Sequence, residues 1–155
     1  MAYRDAASFG KRQEFVAIAE LLRRGFDVYM TLVDDQQIDC VVRMERDGRP
    51  VYVDLQIKAR SNDAKPRYAG TFANLGIRNP RENFYFIFYS EHADSYWIMP
   101  SFDVARLANK LKSGESKGRF RIVFTNPSRR TGAIVPRPKF ELYRNNFDLL
   151  RQYKG

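Results

Sequence analysis

With a single cysteine, Cys40, the chain cannot form an internal disulfide, and a reducing cytoplasmic compartment is the expectation. In its apolar setting Cys40 reads as a small buried strand residue. The one histidine, His92, falls in the polar stretch Glu91-His92-Ala93-Asp94 and reads as a turn residue between strands. No apolar run approaches the roughly 20 residues that span a bilayer, so no membrane partner is expected. The opening Met1-Ala2-Tyr3-Arg4-Asp5 lacks the continuous apolar stretch of a signal peptide. Internal repeats, low-complexity tracts and domain boundaries are also missing, and residues 1–155 read as one domain.

What is present is a globular composition, 44% hydrophobic and 14% aromatic, which excludes a disordered chain. The net charge of +9 is unevenly spread. Residues 1–58 carry 9 basic and 10 acidic side chains, and residues 59–155 carry 18 and 8. A near-neutral first part with fixed carboxylates, followed by a strongly basic part, suits a protein that holds a cation and a polyanion together.

The apolar residues Phe9, Phe15, Ile18, Ala19 and Leu22 recur at helical spacing and predict a helix over 8–24, with Ser8 as its N-cap and Gly25 as its stop. Three strands are expected over 26–33, 38–44 and 50–59, with Asp34-Asp35-Gln36-Gln37 as a polar break. Asp47-Gly48 between the last two is a hairpin signal. Residues 60–82 read as a long polar connection without a helix. Strands at 84–89, 96–99 and 120–124, a helix over 102–112, a basic loop over 126–139 and a terminal helix over 140–152 complete the pattern. The fold class expected is α/β, a mixed central β-sheet flanked by helices.

The third strand carries the chemistry. Side chains alternate across a strand, so Asp54, Gln56 and Lys58 share one face while Val53, Leu55 and Ile57 take the other. Polar groups on a strand otherwise suited to burial are costly unless paired or metal-bound. A hairpin turning at Asp47-Gly48 pairs Met44 or Glu45 with about Val51. Asp39 then comes opposite roughly Gln56, with a bulge able to shift it. A carboxylate and an amide oxygen meeting there suit magnesium, which takes oxygen ligands and keeps several waters. Lys58 beside the cation has three open roles: orienting the attacking water, stabilising charge on a phosphate, or lowering the water's pKa.

This order of elements, with Asp39 on the middle strand and Gln56-Ile57-Lys58 on the third, resembles the PD-(D/E)xK nuclease superfamily. The resemblance covers roughly residues 8–90. It implies a restriction-endonuclease-like core, with Asp39 in the place of the motif aspartate, Gln56 at the (D/E) position and Lys58 as the motif lysine. Gly10-Lys11-Arg12-Gln13-Glu14 looks like the Gly-x-x-x-Glu opening of resolvase-like members, which implies a metal-site role for Glu14. Two departures stand out: Ile38 precedes Asp39 in place of proline, and Gln56 brings no charge. Asp54 on the same face offers a nearby carboxylate to the metal.

The resemblance implies Mg2+, with Mn2+ able to substitute, as cofactor. Its implied partner is nucleic acid, most readily double-stranded or branched DNA, and its small members often act as homodimers. Arg60, Lys65, Arg67, Arg78 and Arg81 follow the third strand, where an incoming phosphate backbone would pass, with Tyr68 and Phe72 able to stack on bases. Arg129 and Arg130 form a second basic candidate. For Asp39 and Lys58 the plain alternative is a surface ion pair on a hairpin. Two other functions stay open: a nucleic-acid-binding module that no longer cuts, and an interaction subunit of a defence or toxin–immunity system.

Overall fold

The computed structural model describes residues 3–33 and 37–155; Asp34, Asp35 and Gln36 of the expected polar break lie outside the described residues. Helix α1 spans Tyr3–Arg23. Its buried residues Gln13, Ala17, Ile18 and Leu21 form one stripe at three- and four-residue spacing. The helix starts before Ser8, which lies inside it and is not its N-cap. Residues 3–7 contain no breaker, and Asp5 in the first turn suits the helix dipole. The end is as the pattern predicts. Gly25 (φ +87°) donates its N–H to Leu22 at 2.9 Å and Phe26 donates to Leu21 at 3.0 Å, closing the helix with a left-handed glycine.

Strands β1 (Asp27–Met30), β2 (Cys40–Arg46) and β3 (Arg49–Arg60) form an antiparallel meander. Asp47 (φ 51°) and Gly48 (φ 73°) both take positive φ in the β2–β3 turn, and Met44 pairs with Val51. The polar connection after β3 is not structureless. It holds a 3-10 turn at Pro66–Tyr68 and strand β4 (Thr71–Leu75). The all-buried β5 (Phe84–Ser90) then runs parallel to β3, and β6 (Ser95–Pro100) pairs antiparallel with β5. The central sheet is therefore mixed, in the order β1-β2-β3-β5-β6.

Helix α2 (Ser101–Leu107) is shorter than its apolar pattern suggests, because Asn109–Lys110 turns extended as β7 to pair with β8 (Phe120–Val123). Strands β4, β8 and β7 make a second sheet. The expected loop over 126–139 contains most of a small hairpin, β9 (Thr125–Pro127) with β10 (Ile134–Pro136). Nor is there a continuous terminal helix. A 3-10 segment, Pro138–Tyr143, precedes the short α3 (Asp148–Arg151). Between them Asn145 takes φ 52° and pairs with β6, its N–H donating to Tyr96 O at 2.7 Å and its Oδ1 accepting from Tyr96 N–H at 2.9 Å.

The two sheets meet through aromatic rings. Phe124 lies 5.8 Å from Phe72, 5.1 Å from Phe88, 4.7 Å from Trp97 and 4.9 Å from Phe140, centroid to centroid. Gly70 lets β9 come close: a Cβ there would stand 2.5 Å from Thr125 Oγ1. Phe88 neighbours Lys58 on β3, so the second sheet covers the strand face that carries the candidate residues. Replacing Phe124 by alanine is expected to lower the unfolding free energy by about 3–5 kcal/mol. Leu142→Ala, at an exposed position, is expected to change it by less than about 0.5 kcal/mol. Urea denaturation measures both, and equal losses would show that the ring cluster is not the core.

Candidate functional site

On β3 the alternation holds, and each candidate has a phenylalanine beside it on β5: Asp54 with Phe84, Gln56 with Phe86 and Lys58 with Phe88. Gln56 is 5% exposed, and its Oε1 has no hydrogen-bond partner among the described residues. An unanswered buried amide oxygen costs about 1–3 kcal/mol. Lys58, half-buried two residues on, makes no ion pair among the described residues.

Asp39 reaches this strand through an irregular register. Cys40 pairs with Leu55, and Asp39 also donates its N–H to the carbonyl of Leu55 at 2.8 Å. Two residues thus stand opposite one, which is a bulge, and the simple Asp39–Gln56 pairing expected from the turn is shifted by it. The consequence is local and specific. The Asp39 carboxylate accepts the N–H of Ile57 at 2.6 Å, so it sits against the peptide that joins Gln56 to Ile57. Gln37 fixes the approach to this bulge. Its amide donates to Gly76 O at 2.8 Å and its Oε1 accepts the N–H of Arg78 at 3.1 Å.

Glu14 comes from α1, which crosses the other face of the sheet. The charge of Glu20 registers at Tyr96 and that of Arg12 at Tyr89, both on that side. Glu14 pairs with Lys11 at 2.6 Å, and its charge registers at Cys40, next to Asp39. Burial, then Asp39, then Glu14 push the Cys40 thiol up to about 12. Gln13, which stands in the Gly10–Glu14 motif without an expected role, is buried. It gives its amide to Glu91 Oε1 at 3.3 Å and leaves its own Oε1 without a partner among the described residues. Its place one helical turn before Ala17 was the available signal.

Asp54, expected as a metal ligand, is held in an ion pair. It accepts from Arg81 at 2.6 Å, and that guanidinium also donates to Asn79 O at 2.9 Å and lies over the Phe84 ring. The same pair engages Arg81, one of the expected phosphate contacts. Arg60 reaches the Tyr68 carbonyl at 3.4 Å and Arg67 stacks on the Tyr68 ring. Lys65 is exposed beside that turn, Arg78 is exposed after β4, and Arg129 and Arg130 are exposed between β9 and β10. Phe72 is buried among rings and is no stacking platform. His92 lies in its turn, 3.3 Å from the Ala64 carbonyl.

No three His, Cys, Asp or Glu side chains converge on a metal position among the described residues. Asp39 sets a carboxylate against the Gln56–Ile57 peptide, and the amide oxygen of Gln56 is buried without a partner among the described residues. Carboxylate and carbonyl oxygens without thiolate or imidazole fit a hard divalent cation that keeps part of its water shell.

No family model matches the sequence, and no curated protein matches it. Among solved structures, the bacterial homing endonuclease I-Ssp6803I superposes over 92% of this chain and 91% of its own, with a TM-score of 0.60 at 19% identity. The chain has the fold of a nuclease. A nuclease from a fusselovirus aligns over 70% of this chain and 75% of its own at 13% identity, with a TM-score of 0.41, too low to bear on the fold.

The raised Cys40 pKa has a sign that can be checked. The folded thiol keeps its proton up to about 12, whereas the unfolded one loses it near its ordinary 9.0. The unfolded state therefore binds fewer protons between those values, and stability falls as pH rises through that window. Asp39→Asn or Glu14→Gln is expected to lower the folded thiol's pKa, read by the ultraviolet absorbance of the thiolate. An unchanged titration in both variants would place neither carboxylate near Cys40.

Proposed function

We propose that the chain is a metal-dependent endonuclease of the PD-(D/E)xK type that hydrolyses phosphodiester bonds in DNA. The observation that carries this is the buried, unpartnered Oε1 of Gln56 beside the bulge that delivers the Asp39 carboxylate. The fold it occupies is shared with a homing endonuclease, and the basic balance of residues 59–155 supplies attraction for a polyanion.

Asp39 and Gln56 would hold magnesium or manganese, whereas Glu14, on the helix that crosses the face opposite Gln56, would bear on the centre only through its charge. Bound there, the ion supplies polarisation of the scissile phosphate and acidification of a coordinated water. Asp39 is pre-set for this by the Ile57 N–H, which fixes one carboxylate oxygen. Gln56 contributes an oxygen without charge. Lys58 places an ammonium near the reacting phosphate, where it stabilises developing negative charge. Burial of Gln56 strengthens its interactions by limiting water. Lys65, Arg67, Arg78, Arg129 and Arg130 are exposed and contribute to the hold on the backbone.

Purified protein with magnesium or manganese is expected to cut plasmid or branched DNA. Asp39→Ala and Lys58→Ala are each expected to reduce the rate by a factor on the order of 10² or more. Gln56→Glu adds a charge to the ligand set and is expected to tighten manganese binding in a calorimetric titration. The neutral Gln56 favours one rival, a module that binds nucleic acid without cutting. Absence of divalent-ion binding together with intact DNA binding establishes that rival. Inertness on duplex, single-stranded and branched substrates defeats the enzyme reading.

A further inference from the structure

The most strongly charged surface left unused by the proposed site is the β7–β8 hairpin. Residues 109–121 contain Lys110, Lys112, Lys117, Arg119 and Arg121 against the single acid Glu115. All five cations are exposed, and none forms an ion pair among the described residues. Elsewhere many of the chain's arginines are neutralised locally, as in Arg23 and Arg24 with Glu20, Arg106 with Asp103 and Arg144 with Glu141. The hairpin keeps its field uncancelled.

The hairpin is also a built element. Beyond the β7–β8 pairs, Leu111 N–H donates to Arg119 O at 2.8 Å, Gly118 N–H to Leu111 O at 2.9 Å and Arg119 N–H to Ser116 O at 2.9 Å. Its base is fixed to the core by β4, with Phe72 opposite Ile122 and Leu75 opposite Phe120. Phe72 in turn meets Phe88, the neighbour of Lys58, at 5.0 Å.

One contact brings it to the site. The Arg119 guanidinium lies so close over Gly76 that a Cβ there would stand 2.5 Å from Nη1, and the Gln37 amide nitrogen would be 3.2 Å away. Gln37 is two residues before Asp39 and clamps the same turn. Arg119 therefore stands at the junction of the basic hairpin and the Asp39 bulge.

We propose that the β7–β8 hairpin is the arm that grips the phosphate backbone of the DNA beside the site, with Arg119 as its inner end. This rests on the nuclease reading above. Unpaired cations on a fixed hairpin bind phosphates by releasing condensed counterions, with no base preference. Arg119 acts as a positioning residue, setting the strand's distance from the bulge. A side chain at position 76 would shift the guanidinium from this place.

The test is DNA binding by fluorescence anisotropy in chelator, across a salt series, for the full chain and two triple variants. One carries Lys112→Gln, Lys117→Gln and Arg121→Gln. The other removes equal charge elsewhere, with Arg49→Gln, Lys139→Gln and Lys154→Gln. The hairpin variant is expected to flatten the slope of log K against log salt by about 2 to 3, at roughly 0.9 per lost phosphate contact. The control is expected to keep the parent slope. Gly76→Ala is expected to raise KM for cleavage, with thermal unfolding measured alongside. Equal slopes in the two triple variants overturn the hairpin proposal while leaving the nuclease reading intact, provided the parent binds and cuts. A parent chain with no salt-sensitive binding overturns both.

Discussion

Over residues 55–57 strand β3 is covered on both faces, by α1 on one and by the aromatic layer of the second sheet on the other, and a buried strand holds polar side chains only where something answers them. Asp54 is answered by Arg81 at 2.6 Å. The Oε1 of Gln56 is not answered by any described protein atom. The rest of the candidate site follows from that one amide oxygen. The Asp39 bulge and the Gln37 clamp bring a carboxylate and its support toward the part of β3 where it lies.

The architecture gives this end of the strand its rigidity. Parallel pairing with the wholly buried β5 fixes Gln56 and Lys58 against Phe86 and Phe88. The ring cluster around Phe124 then locks β4 and β8 over them. On the opposite side Glu91 collects Arg12, Gln13 and the N–H of Asn62, tying α1 to the residues that follow β3. A site held from both faces is one whose donors keep their places in the absence of ligand, as a divalent centre with few protein ligands requires.

Much of this was legible in the sequence because it is local. Asp47-Gly48 set the hairpin and its Met44–Val51 pairing, and alternation placed Asp54, Gln56 and Lys58 together. The run Phe84 to Tyr89 announced a buried strand. What stayed hidden depends on residues far apart in the chain. The Asp54–Arg81 pair spans the connection between β3 and β5, and no periodicity marks it. Strand β4 is too short and polar to stand out, and exists because β8 pairs with it. The Asp39 bulge is a detail of backbone geometry. The terminal apolar pattern suggested a helix, but Asn145 gives its backbone to β6 instead.

The central claim is that Asp39 and Gln56 share a cation. A crystal of the chain soaked in manganese, read by anomalous difference density, tests it most directly. The account predicts a peak bound by the Asp39 carboxylate and Gln56 Oε1, absent from an Asp39→Ala crystal. A peak held by other carboxylates, or none at an ion concentration that supports DNA cleavage, would contradict it.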